Sequence, residues 1–72
     1  MKIIGEYWEN GYIIKNVETE EEIYRTCIEE HRTDKAGIES LKIWCEQTGR
    51  EIADSLGAEF IGIRERNFDG II

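Results

Sequence analysis

The chain contains no proline, a single histidine and two cysteines, and its basic residues are outnumbered. Each shortage excludes a class of protein. Cys27 and Cys45 are too few for a disulfide framework, so a reduced, cytoplasmic setting is the default. Met1-Lys2-Ile3-Ile4-Gly5-Glu6 lacks the long apolar region of a signal peptide. No apolar run approaches the roughly 18 residues that a membrane span requires. The seven glycines are scattered and form neither a G-x-G-x-x-G nor a Walker loop. With 9 basic against 16 acidic side chains the net charge is −7, which disfavours direct binding to a phosphate backbone and favours a basic partner.

What remains is the composition of a folded protein, 40% apolar with two Trp, three Tyr and two Phe. Seventy-two residues make one domain, spanning 1–72, near the lower limit for a self-sufficient core. A second copy or a bound partner would add to its stability.

Lys2 to Val17 reads as a β-hairpin. Asn10-Gly11 between two β-rich runs is the strongest short signal for a two-residue type I′ turn. That loop sets Trp8 opposite Ile13, Glu6 opposite Lys15 and Ile4 opposite Val17, with Tyr7 opposite Ile14 on the other face. Ile3, Tyr7, Tyr12 and Ile14 form the face suited to lie under helices. Ile4, Trp8, Ile13 and Val17 form a second apolar set, left to water or a partner if the sheet is covered on one side only.

Thr19 to Leu56 carries apolar residues at helical spacing almost throughout. Thr19-Glu20-Glu21-Glu22 has the form of a capping box, and Ile23, Tyr24, Cys27, Ile28 and His31 follow on one side. Glu22, Arg25 and Glu29 then fall on the other, as an acidic outer ridge. Asp34 suits the N-cap of a second helix, in which Ile38, Leu41, Cys45, Thr48 and Ile52 repeat at steps of three and four. Trp44 and Leu56 lie at the edges of that stripe, and Ile43 points away from it. Glu46 precedes Arg50 by four residues, the favourable order for a surface pair. Thr48-Gly49-Arg50-Glu51 admits a break, and Gly57 is a suitable residue to end the helix. Glu59 to Arg66 is a further strand, in which Gly62 is expected at a bulge or at a close approach of another backbone, and Arg64 and Arg66 share a face.

The expected fold is therefore α+β in the order β-β-α-α-β. A three-stranded sheet with an N-terminal hairpin is covered on one face by two helices, or by one long bent helix. The helical hairpin is favoured, with the last strand parallel to the first.

Candidate chemistry is sparse. Cys27 and His31 have a spacing that zinc sites use, with Cys45 as a third ligand, but all three lie in apolar stripes where Cys is commonly buried without a ligand. A Cys27–His31 nucleophilic pair needs an electropositive setting, and the surrounding glutamates oppose it. Glu29 and Glu30, adjacent on a helix, point about 100° apart and share no site.

The expected function is a small acidic, non-enzymatic protein-binding module without metal or cofactor. As an inhibitor or adaptor it would dock a basic, nucleic-acid-binding surface of a protein partner, through Glu18, Glu21, Glu22 and Glu29 and the apolar anchors Trp8, Ile13 and Ile43. It would contact neither nucleic acid nor membrane directly. Phage and mobile-element proteins that disarm host defences use this strategy, and the analogy is one of size and charge. The alternative is a homodimerisation or assembly module joined through the outer hairpin face or an edge strand.

Overall fold

The computed structural model describes residues 1–28 and 34–66. In chain order they form β1 (Lys2–Trp8), β2 (Gly11–Asn16), β3 (Glu22–Cys27), α1 (Lys35–Leu56) and β4 (Glu59–Glu65). The sheet order is β3-β2-β1-β4, with β4 parallel to β1 and the other pairs antiparallel. The domain is compact α+β, but its described residues form four strands and one helix, where three strands with two helices or one long bent helix were expected.

The difference lies in residues 19–28. Thr19 does not cap a helix. The Asn16 side chain instead accepts the amides of Glu18 at 2.8 Å and Thr19 at 3.2 Å, and the Thr19 hydroxyl accepts the amide of Glu21. Glu20 adopts a left-handed φ of 63°, which closes a tight turn. The segment after it is rich in β-branched and aromatic residues and pairs with β2 as an edge strand. This strand runs in the direction assigned to the first helix, so β4 still returns parallel to β1.

The β1–β2 hairpin forms with a register two residues from the expected one. Its loop is Glu9-Asn10, and Gly5 opposes Ile14, Glu6 opposes Ile13, Tyr7 opposes Tyr12 and Trp8 opposes Gly11. None of Glu9, Asn10 or Gly11 has positive φ, so the turn is not type I′. Gly11 is needed for room: a Cβ there would collide with the Thr26 carbonyl and lie 2.8 Å from the Trp8 ring. A slip of two residues preserves both faces of each strand, whereas a slip of one would exchange them. Ile3, Tyr12 and Ile14 are therefore buried under the helix as expected, with Tyr7 packed beside them.

Helix α1 is continuous over 22 residues, with no break at Gly49. Asp34 caps its start by accepting the Gly37 amide at 3.0 Å, and Gly57, at φ 67°, ends it. Gly37, Leu41, Cys45, Gly49 and Ala53 recur every fourth residue and form the buried line. Most of them are small, so the helix lies close on the sheet. A Cβ on Gly5 would come within 2.5 Å of the Cys45 sulfur, and one on Gly49 would collide with the Phe60 ring. Gly62, at φ 137°, marks the irregularity where β4 shifts register against β1. No helix is long and apolar enough to cross a membrane among the described residues.

The Gly5–Cys45 contact can be tested by a double-mutant cycle. Gly5→Ala should cost about 1–3 kcal/mol by overpacking, and Cys45→Ala about 1 kcal/mol through the small void it leaves. In the double variant the added and removed atoms compensate, so urea denaturation should show a coupling of at least about 1 kcal/mol. Additive losses would mean that the two residues do not meet.

Candidate functional site

The helix covers one face of the sheet, and the strand registers define what occupies the other. One row across it reads Arg25, Ile13, Glu6, Arg64, and the next reads Cys27, Gly11, Trp8. Ile13 is only 2% exposed although no helix among the described residues lies over it. Long polar side chains and Trp8 cover this face. The Glu6 carboxylate, 6% exposed as a residue, accepts Arg64 Nε at 2.7 Å and lies 3.4 Å from Lys15 Nζ. The expected Glu6–Lys15 pair is thus present as a diagonal contact, because Lys15 stands opposite Ile4. Trp8 lies over Gly11, with the guanidinium groups of Arg25 and Arg66 at 5.7 and 5.6 Å from its ring centroid. Arg25 also binds Glu22 through both carboxylate oxygens, at 2.8 and 3.0 Å. Those hydrogen bonds hold the Glu22 carboxyl below its ordinary pKa and raise that of Arg25.

Lys15, Arg25 and Arg64 are therefore neutralised locally by Glu6 and Glu22. The Arg25 and Arg64 side chains stay about half exposed, whereas that of Lys15 is largely buried. Sequence reasoning had placed Arg25 on a helix, so its stacking on Trp8 was missed. The alternation that puts Arg64 and Arg66 on one face was the available signal for the other half of this cluster.

The named binding residues separate onto three surfaces. Glu18 and Glu21 stand exposed on the β2–β3 turn, and Glu22 begins β3. The acidic outer ridge of a helix is replaced by this turn, and Glu29 lies outside the described residues. Trp8 is half-buried on the uncovered face, and Ile13 on the same face has almost no surface to offer. Ile43 is exposed on the helix, across the sheet from Trp8. Glu18 and Glu21 thus share the turn, and Arg25 links Glu22 to Trp8.

The two thiols are also separated. Cys27 is exposed and pairs with Gly11 at the sheet edge, whereas Cys45 is fully buried under the helix. His31 lies outside the described residues, and among those described no three metal-ligating side chains converge. Burial pushes the Cys45 thiol up to about 12. The fold thus defines a small α+β domain with a half-covered sheet and a carboxylate-rich turn at one end. No protein-family model matches the chain, and no curated protein or solved structure is significantly similar to it.

Two measurements test this geometry. Glu6→Gln should destabilise the protein by about 1–3 kcal/mol, because the charged hydrogen bond from Arg64 and the ion pair with Lys15 are weakened at a site closed to water; an unchanged denaturation midpoint would show the carboxylate to be dispensable. The cysteines should differ in reactivity: a thiol reagent should modify Cys27 at least about a hundredfold faster than Cys45 in the folded protein. The raised Cys45 value means that its burial stabilises below the ordinary thiol pKa and that this contribution fades as the pH rises above it. Stability should therefore fall between about pH 9 and 12 by more in the wild type than in Cys45→Ala; equal losses would refute the assignment.

Proposed function

We propose that the protein is a small acidic protein-binding module, an inhibitor or adaptor that docks the β2–β3 turn on a basic surface of a partner protein. The observation that carries this is the turn itself. Glu18 and Glu21 have no ion-pair partner among the described residues. Amide bonds to the Asn16 side-chain oxygen, together with Glu20 N–H to Asn16 O at 2.8 Å and Asn16 N–H to Glu21 O at 2.9 Å, fix the backbone that presents them. A preformed loop loses less entropy on binding. The net charge of −7 would also draw in a basic partner over distance.

The uncovered face is less suited to a phosphate backbone, since its cations already neutralise Glu6 and Glu22. A basic groove that otherwise holds nucleic acid is the kind of surface the acidic turn fits, in the manner of anti-defence inhibitors from mobile elements. An acidic turn engaging such a groove would leave the helix and the core unchanged.

Charge reversal tests this directly. Immobilised wild type should retain net-basic proteins from a lysate at low salt, and Glu18→Lys/Glu21→Lys should lose them. For a captured partner, the association rate should drop about tenfold or more between roughly 20 mM and 500 mM salt, with a smaller change in dissociation. Retention of the same proteins by the reversed variant would reject the turn as the docking element.

A further inference from the structure

β3 is a poorly covered strand. Five of its six residues are exposed, whereas the first four residues of β2 are all buried. Among the described residues its outer edge has no neighbour in the sheet order, and α1 contacts β1, β2 and β4 but not β3. Ile23 is consequently 38% and Tyr24 42% exposed. Trp44, 41% exposed, belongs to the same side of the molecule. It stands one helical turn from Thr48, whose hydroxyl meets Tyr12 at 2.9 Å, and the Tyr12 ring lies 6.2 Å from that of Tyr24. An exposed edge strand with apolar side chains is a template for another strand.

The order of residues on this strand indicates which one. A bulge makes Ile23 the extra residue between the pairs Ile14–Tyr24 and Lys15–Glu22. Glu22 and Arg25 then both border the uncovered face, while Tyr24 stands opposite core-facing Ile14. Glu22-Ile23-Tyr24-Arg25 reads acid, apolar, apolar, base, which is self-complementary when run antiparallel to a copy of itself. With a two-fold axis between residues 23 and 24, Glu22 meets Arg25 and Ile23 meets Tyr24, each twice. A shift of one residue sets Ile23 against Arg25, or Tyr24 against Glu22. Only the in-register pairing matches charge and apolar character together.

We propose that β3 is a homodimerisation edge, joining two copies antiparallel through residues 22–25 into a continuous eight-stranded sheet. The contact is isologous and closed, so it ends at two copies. Opposite charges and apolar pairs facing each other across strands are each modestly stabilising. The intrachain Glu22–Arg25 pair is exchanged for the same pair between chains. Pairing places apolar neighbours beside Ile23 and Tyr24, which the helix fails to reach. This inference is independent of the acidic-turn proposal, since Glu18 and Glu21 lie outside the paired segment.

Sedimentation velocity on the full chain, from about 1 µM to about 500 µM, tests it. Wild type should sediment at twice the 8.4 kDa chain mass at the upper end. Arg25→Glu should raise the dimer dissociation constant about tenfold or more, and Glu22→Arg/Arg25→Glu should restore it, with unchanged far-UV circular dichroism throughout. Glu18→Lys/Glu21→Lys should leave the dimer intact. A wild type that stays monomeric up to about 500 µM would overturn the proposal. So would a dimer unaffected by Arg25→Glu, or one that the double exchange fails to restore. Should Arg25→Glu unfold, Tyr24→Lys replaces it as the disrupting variant, and a dimer that persists with it also overturns the proposal.

Discussion

Gly5 has no side chain, and the Cys45 sulfur fills the space that a Cβ would need. This contact seats α1 over β1, near the middle of the sheet. From there the helix reaches β2 on one side and β4 on the other, and falls short of β3. The small residues on the buried line permit so close an approach, but they also limit how far the helix can spread. Wider coverage would need longer side chains on the helix and would lift it from the strands. The exposed state of β3 follows from the tight packing at β1.

The opposite face meets a related difficulty without a helix. Ile13 has to leave water, and what covers it is a layer of ion-paired chains anchored on Glu6 and on the Arg25–Glu22 pair. Exposed pairs of this kind contribute little individually. Glu6 differs because its carboxylate is closed off from solvent and shared between two cations. Lys15, Arg25, Arg64 and Arg66 all lie on this one face. The acidic excess is accordingly greater elsewhere, including the β2–β3 turn.

Much of the core was legible from alternation and helical spacing. Ile3, Tyr12 and Ile14 under Leu41 and Cys45, the Asp34 and Gly57 caps and the Gly62 irregularity all follow from local rules. Residues 22–27 were misread because Ile23, Tyr24, Cys27 and Ile28 also satisfy a helical period. Short apolar runs carry both patterns, and pairing with a distant strand decides between them. The candidate site suffered most from this. Arg25 changed from an outward helical residue into a partner of Trp8, and the acidic ridge became a turn.

By itself the sequence determined the apolar faces of the hairpin, the caps of the long helix and the acidic charge, because these depend on spacing and composition within short windows. Only the tertiary structure decided the hairpin register, the strand nature of β3 and the covering of Ile13. Each of these depends on which backbone lies alongside. Neighbours such as Gly11 under Trp8, or Glu6 between Lys15 and Arg64, are far apart in the chain or set by a register that local signals leave ambiguous by two residues.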